Sequence, residues 1–174
     1  MSEAALPARP AVLRLEWPAV ARALALLLPL GLLSGALGSQ YFGGLNPCEM
    51  CYWQRWPHAF AIALAGLAFT SPAASRPSRT FVLMAAAAIA ASGGIGVYHA
   101  GVELGVFDGF TTCAINAAGG STDDLFKQIM GAPLIRCDQV QWSFLGLSMA
   151  SWNALLSLGG ALLITYLAFR RPRA

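Results

Sequence analysis

The stretch AVARALALLLPLGLLSGALGSQY, residues 19–41, contains no charged side chain after Arg22. A helix needs about 20 apolar residues to cross the hydrocarbon core of a bilayer, and this stretch is long enough. A basic start and small residues, here at Ser34–Ser39, are also found in cleaved signal peptides. However, the polar segment of about twenty residues that precedes the apolar stretch is longer than is usual in a signal peptide. We therefore predict that it is the first transmembrane helix.

Three further apolar blocks follow, at about residues 56–70, 80–99 and 144–169. The block at 56–70 is short, and it reaches the length of a membrane span only if residues 47–55 form its first turns. Charged residues make up only 11% of the chain, which is too few to cover a soluble surface. We predict an all-α integral membrane protein, with one domain over residues 1–174 that forms a four-transmembrane-helix bundle. The predicted helices span approximately residues 19–41, 47–70, 79–99 and 143–169, and the outer loops approximately residues 42–47 and 100–142.

The basic residues predict the orientation in the membrane. Eight of the eleven Lys and Arg precede the first helix, lie between the second and third, or follow the fourth. Because short loops rich in Lys and Arg stay in the cytoplasm, we expect both termini to be cytoplasmic. The basic residues are divided among three clusters that flank the membrane, which argues against nucleic-acid binding.

All four cysteines then lie in or beside the two outer loops. An even number of cysteines on the oxidising side of a membrane indicates disulfide chemistry. The cysteines are Cys48, Cys51, Cys113 and Cys137.

The segment NPCEMC, residues 46–51, is expected to begin the second helix, with Asn46 as N-cap and Pro47 in the first helical position. Cys48 would then lie in the first turn, where free backbone N–H groups favour a thiolate. Two cysteines three residues apart on a helix close a small disulfide that is easily reduced. This pattern is typical of a redox-active pair.

Other roles for the cysteines fit the spacing less well. A c-type haem site needs His after the second cysteine, and the chain has Tyr52 there. A structural zinc site needs a second closely spaced pair, but 23 residues separate Cys113 from Cys137, so we expect no metal. The spacing of Cys113 and Cys137 is compatible with either a structural disulfide or a mobile redox relay.

Three polar residues near the outer ends of the helices are candidates for a binding site. Arg55 lies four residues after Cys51, hence on the same helix face, where it can stabilise an anion or simply reach the headgroups. His99 ends the third apolar block, and Glu103, one turn later, is its expected partner. His58 shares the face of Arg55 and can equally mark the membrane interface.

Two weaker patterns complete the prediction. Gly31 and Gly35 form a small-xxx-small pair of the kind that allows close helix contact. Within the long outer loop, Ser121–Met130 has the pattern of a short amphipathic helix that lies on the membrane surface.

The motifs PCEMC at 47–51, WQR at 53–55, YHAGVE at 98–103 and WSFLGLSMASWN at 142–153 resemble the DsbB family of disulfide bond formation proteins. The resemblance implies an enzyme of the bacterial inner membrane that oxidises a periplasmic thioredoxin-fold protein of the DsbA type. The electron acceptor would be a membrane quinone, ubiquinone or menaquinone.

The resemblance also implies roles for single residues. Cys48 and Cys51 would be the pair that the quinone oxidises, with Cys51 facing the ring and Arg55 beside it. Cys113 would react with the partner protein, and Cys137 would resolve or shuttle the disulfide. His99 matches a histidine near the quinone. Two alternatives stay open: a quinone oxidoreductase of the vitamin-K-epoxide-reductase type, and a non-catalytic four-span protein with a stapled outer loop.

Overall fold

The computed structural model describes residues 16–109 and 136–170, and most of them belong to four long helices. α2 packs against α1 and α3, and α4 packs against α3 and α1, so the helices form a closed bundle. The helices are α1 (Trp17–Tyr41), α2 (Glu49–Ala68), α3 (Arg76–Glu103) and α4 (Met149–Phe169). The predicted all-α four-helix bundle is confirmed. The predicted surface helix at residues 121–130 lies outside the described residues.

Three of these helices, α1, α3 and α4, are long and apolar enough to cross a membrane. α2 has 20 residues but is not among them. Its first half contains Gln54, Arg55 and His58, and two of these side chains, Gln54 and His58, are buried. Gln54 and His58, two of the polar groups that lower the hydropathy of α2, thus face the interior of the bundle.

α3 is longer at both ends than the predicted span of residues 79–99. It begins at Arg76 because the Ser75 hydroxyl caps it, accepting a hydrogen bond from the backbone N–H of Ser78 at 3.3 Å. At the other end it continues to Glu103, so the outer loop begins after that residue rather than at 100. The side chains of His99 and Glu103 therefore stand on successive turns of one rigid helix.

The prediction that the fourth helix begins at residue 143 is wrong. Ser143–Phe144 (β1) and Leu147–Ser148 (β2) instead form a two-residue antiparallel hairpin. The turn between them has positive φ at both Leu145 (51°) and Gly146 (78°), which a helix cannot contain and which a two-residue hairpin turn favours. α4 starts only at Met149, where the Ser148 hydroxyl caps it.

The two ends of the bundle differ in chemistry. At one end, Arg22 at the start of α1 donates to the Ser71 carbonyl after α2 at 2.9 Å, and Arg170 after α4 lies over the Trp17 ring at 5.1 Å. We call this the arginine end. Cys48, before α2, and Cys137, in the segment that leads to α4, lie at the opposite end, which we call the cysteine end.

Small residues let the helices approach closely, but not the pair that the sequence predicts. A Cβ on Gly93 of α3 would lie 2.8 Å from Leu158 Cγ of α4, and one on Gly96 would lie 3.1 Å from the Ala150 carbonyl. A Cβ on Gly31 or Gly35 of α1 would meet nothing within 4 Å. Close contact between α3 and α4 therefore depends on Gly93 and Gly96, and Gly160 of α4 lies equally close to Leu28 of α1, where a Cβ would be 2.1 Å from its Cδ2. The α1 glycines leave space instead.

Candidate redox site

Cys48 and Cys51 form the start of α2, in an arrangement that differs from the prediction. The helix begins at Glu49, and Cys48 is its N-cap, with extended backbone angles of φ −74° and ψ 172°. Its Sγ accepts a hydrogen bond from the backbone N–H of Cys51 at 3.3 Å, so the expected cap at Asn46 is wrong. The sulfur performs the capping role that an oxygen usually has, and a backbone N–H at the positive end of the helix points at it.

The two sulfur atoms are in position to react with each other. Both cysteines are in the free thiol form, and their Sγ atoms are 2.9 Å apart. A disulfide bond is about 2.05 Å long, so a small movement of the side chains would close it. Cys48 is buried and Cys51 is partly exposed. The more accessible sulfur of the pair therefore belongs to Cys51.

His99 lies against this pair from α3. Its Nε2 is 3.6 Å from Cys48 Sγ and 3.9 Å from Oε1 of Glu103. The expected pairing of His99 with Glu103 is thus confirmed. Both side chains are nearly inaccessible, at 4% and 8% exposure, so their interaction is poorly screened by water.

A chain of hydrogen-bonded side chains extends from His99 into the bundle, and no part of it was predicted. The Gln54 side-chain amide is 2.8 Å from His99 Nδ1, and its Oε1 accepts from Nδ2 of Asn153 at 2.8 Å. Oδ1 of Asn153 lies 2.9 Å from His58 Nε2, and Ser92 lies 3.0 Å from the same nitrogen. His58 is 3% exposed, so it belongs to this interior network and does not mark the membrane interface.

One signal in the sequence could have revealed part of the network. Gln54 and His58 are four residues apart, hence on one face of α2, and that face also carries the apolar Ala61 and Ala65. Polar side chains that share a buried face must find partners inside. The partners themselves, on α3 and α4, could not be identified from the spacing.

Arg55 extends from α2 towards α1. Its guanidinium donates to Oε1 of Gln40 at 2.5 Å and to the Ala36 carbonyl at 3.1 Å, and it lies over the Tyr52 ring at 5.1 Å. Its Nε is buried and has no hydrogen-bond partner among residues 16–109 and 136–170. A buried donor of this kind can donate to a ligand oxygen without losing an existing bond.

A cavity of about 630 Å³ connects these side chains at the cysteine end. This volume is in the usual range of small-molecule sites. The α1 wall is formed by small and apolar residues, including Gly31 and Gly35, and the opposite walls carry the polar groups. The polar lining includes Cys48, Cys51, Gln54, Arg55, His99, Glu103 and Asn153.

Residues 136–142 contribute to the cavity from the other side. Arg136 donates to both carboxylate oxygens of Asp138, and these hydrogen bonds hold the pKa of that carboxyl below its usual range. Cys137 is 3% exposed and packs in one cluster with Cys48, Met50 and Val102. The structure thus brings Cys137 to the first pair. Cys113 lies outside the described residues.

The cluster also contains donors that could hold a metal. Cys48 Sγ, Cys51 Sγ and one ring nitrogen of His99 all lie within 4.8 Å of one another. The spacing of the cysteines alone gave no reason to expect this cluster. His99, its third member, is 48 residues further along the chain than Cys51, and only the packing of α3 against α2 brings it to the pair.

A membrane helical bundle with a partly buried CxxC pair beside a cavity is an architecture suited to a membrane thiol oxidoreductase. The chain matches the family described as "Disulfide bond formation protein DsbB" over residues 18–167. It belongs to the DsbB family and is a disulfide-forming oxidoreductase of the inner membrane that spans it more than once.

Relatives in several bacteria are named "Disulfide bond formation protein B". The protein of Xylella fastidiosa is 30% identical, covering 91% of this chain and 95% of its own length. That of Xanthomonas euvesicatoria pv. vesicatoria is 29% identical, over 83% of this chain and 86% of its own. A Polaromonas relative is also 29% identical, over 86% of this chain and 92% of its own length. No solved structure gives a significant match.

Proposed function

We propose that the protein reoxidises a periplasmic thioredoxin-fold dithiol protein of the DsbA type and passes the electrons to a membrane quinone, ubiquinone or menaquinone. The observation that carries the proposal is the shared cavity, because the Cys51 thiol and the Arg55 guanidinium both line it. A thiol pair needs a two-electron acceptor within contact distance of one sulfur. The cavity provides space for that acceptor beside the more accessible sulfur.

The residues that line the cavity fit a quinone. Its apolar α1 wall suits an uncharged ring, and Arg55 Nε offers a buried donor to a carbonyl oxygen. His99, on the opposite side, is a second polar group of the lining. The quinone, when bound, supplies the capacity to take up two electrons and two protons.

The protein's own groups prepare the thiol pair for oxidation. Cys48 Sγ and Cys51 Sγ lie 2.9 Å apart, and the Arg55 cation lies one turn beyond Cys51, so a thiolate at Cys51 is stabilised by a hydrogen bond from the Cys48 thiol and by a positive charge. Closure of the Cys48–Cys51 disulfide breaks two S–H bonds, forms one S–S bond, and releases two electrons and two protons.

The position of Cys137 supports transfer between the two cysteine pairs. Its burial beside Cys48 is compatible with thiol–disulfide exchange between them, in which one thiolate attacks the other sulfur and one S–S bond replaces another. In this proposal Cys113 receives electrons from the partner protein, and Cys137 passes them to the Cys48–Cys51 disulfide.

The arrangement of charges supports periplasmic cysteines and cytoplasmic termini. Arg22, Arg79 and Arg170 lie at one end of the bundle and the redox cluster at the other. Short basic segments are retained on the cytoplasmic side. The cysteines would then face the compartment in which disulfides persist.

The test is anaerobic mixing of the purified protein with a reduced thioredoxin-fold oxidase and ubiquinone, with quinone absorbance as the readout. We expect quinone reduction in proportion to the disulfide formed in the partner, and none with a Cys51→Ser variant. A protein that reduces no quinone with either the partner or a small dithiol would instead be the non-catalytic four-span protein.

A further inference from the structure

We propose that the reduced Cys48–Cys51 pair forms, with His99 and Glu103, a binding site for Zn²⁺, and that zinc occupancy and disulfide formation exclude each other. The site uses the sulfur atoms of the proposed redox reaction, and in that respect it rests on the proposed function. The binding itself requires only the reduced thiols and the geometry of α2 and α3.

The donor set is one that zinc prefers. Structural and catalytic zinc sites use cysteine thiolate, histidine nitrogen and carboxylate oxygen, usually four ligands in a tetrahedron. Cys48 Sγ, Cys51 Sγ and a ring nitrogen of His99 lie within 4.8 Å of one another, and Glu103 Oε1 lies 3.9 Å from His99 Nε2. The cluster therefore contains two sulfurs and one nitrogen close to one another. The Glu103 carboxylate lies beside His99, and it becomes the fourth ligand by turning towards the sulfurs.

The distances are close to those of a coordinated ion. Bond lengths of about 2.3 Å to sulfur and about 2.05 Å to nitrogen place tetrahedral ligands about 3.6 Å apart for sulfur and nitrogen, and about 3.8 Å apart for two sulfurs. Cys48 Sγ and His99 Nε2 are 3.6 Å apart, and the two sulfurs are 2.9 Å apart. Coordination thus needs the sulfurs to separate by less than 1 Å, a change within the reach of side-chain rotation.

The surroundings of His99 also suit a metal ligand. A histidine that binds a metal through Nε2 usually has its Nδ1 held by a neighbouring group, which fixes the ring orientation. Gln54 Nε2 lies 2.8 Å from His99 Nδ1. When zinc binds Nε2, Nδ1 carries the proton, so the Gln54 amide must turn by 180° to place its oxygen there as acceptor. The His99 ring is thus oriented with Nε2 towards the sulfurs.

Zinc binding changes the protonation of the pair but not its oxidation state. Two thiols lose their protons and two Zn–S bonds form, without any transfer of electrons. In the disulfide each sulfur has lost its thiolate character, so the oxidised protein retains only His99 and Glu103 as donors. The site is consequently present only in the reduced protein, and an ion in it holds the electrons on the sulfurs.

The experiment uses the full-length protein in detergent with Cys113→Ser and Cys137→Ser, so that Cys48 and Cys51 are its remaining thiols. Zn²⁺ binding is measured anaerobically by competition with a chromophoric chelator, and Co²⁺ serves as a spectroscopic probe. We expect one Zn²⁺ per reduced chain, thiolate-to-Co²⁺ charge transfer with tetrahedral ligand-field bands, and no tight binding after oxidation to the disulfide.

Variants assign the ligands. His99→Ala and Glu103→Gln should each weaken Zn²⁺ binding by about tenfold or more. Glu49→Gln removes an exposed carboxylate from the same turn of α2 as the cysteines and should leave the affinity unchanged. The proposal would be overturned if the reduced and oxidised forms bound Zn²⁺ with equal affinity. It would also be overturned if His99→Ala and Glu103→Gln both left the Zn²⁺ affinity unchanged.

A separate measurement distinguishes this inference from the proposed function. Added Zn²⁺ should slow quinone reduction by the dithiol, and a chelator should restore it. If the reduced protein binds Zn²⁺ as described but reduces no quinone, the proposed function fails and the zinc site stands. If quinone is reduced and Zn²⁺ does not bind the reduced form, only the zinc site is refuted.

Discussion

The side-chain amide of Gln54 lies 2.8 Å from Nδ1 of His99, although the two residues are 45 positions apart in the chain. The same amide donates to the Met50 carbonyl at 3.2 Å, and its oxygen accepts from Asn153. One residue thus connects α2, α3 and α4 and orients the ring that faces Cys48. The network makes Gln54 a positioning residue for the redox site.

Replacement of Gln54 by Leu should therefore destabilise the protein. It leaves the His99 and Asn153 side chains without one of their buried partners, and an unsatisfied buried polar group costs about 1–3 kcal/mol. Thermal unfolding in detergent measures the change. Trp53→Leu is the matched control, because Trp53 is the preceding residue and is 46% exposed. Equal destabilisation by the two substitutions would mean that the network contributes nothing specific.

The two cysteine pairs should have separable functions. We expect Cys113→Ser to block electron entry from the protein partner while a small dithiol still reduces Cys48–Cys51. Cys51→Ser should abolish quinone reduction from any donor, because no second sulfur remains for the disulfide. Stopped-flow quinone reduction with each donor measures both effects. Full turnover of Cys113→Ser and Cys137→Ser with the protein partner would show that the loop pair is structural.

Removal of the Arg55 charge should weaken quinone binding. A hydrogen bond to a charged group contributes about 1.5–3 kcal/mol, so Arg55→Met should raise the quinone KM by about 10- to 100-fold. The variant should also react more slowly with a thiol-alkylating reagent at Cys51, since less thiolate is present. Arg55→Lys should be milder because the charge survives.

Arg79→Met is the control for this series, because Arg79 lies at the arginine end, over the Phe169 ring at 5.7 Å. It should leave the quinone KM unchanged. If Arg55→Met likewise changes neither the KM nor the alkylation rate of Cys51, Arg55 has only a structural contact with Gln40 and Ala36, and the quinone contact must be reassigned.

A larger side chain at Gly35 should fill the cavity. Gly35 lines it, and a Cβ there meets nothing within 4 Å, so Gly35→Leu can be accommodated by the fold but occupies space that the quinone needs. We expect a raised quinone KM with little change in thermal stability. Gly38→Leu is the control, because it lies one turn further on α1, also has free space, and does not line the cavity. An identical KM in both variants would place the quinone elsewhere.

The orientation in the membrane can be tested by fusions. Alkaline phosphatase folds to its active form only where its disulfides form, so a fusion after Asp124 should be active and one after Arg76 inactive. Blots for the fusion proteins control for expression. The reverse pattern of activity would contradict cytoplasmic termini and periplasmic cysteines.

The amino-acid sequence by itself determined the class of fold and the closeness of Cys48 to Cys51. An apolar segment that crosses a bilayer must form the hydrogen bonds of its own backbone N–H and C=O groups, and a helix does this within one segment. Residues 19–41 therefore predict a membrane helix without knowledge of any neighbour. The spacing of Cys48 and Cys51 places both sulfurs at one helix start, because residues three apart share a helix face. Arg55 was predicted on the same grounds. All three inferences depend on contacts within one helix.

Contacts between helices were decided only by the tertiary structure. His99 meets Cys48 across 51 positions of sequence, and Gln54 meets Asn153 across 99, because antiparallel packing brings distant turns to one end of the bundle. Helical periodicity describes which face a residue occupies and not which face of a neighbour it meets. Gly31 and Gly35 show what periodicity leaves undecided. The same pair of glycines can contact a neighbouring helix or line a cavity, and the positions of the other helices decide which.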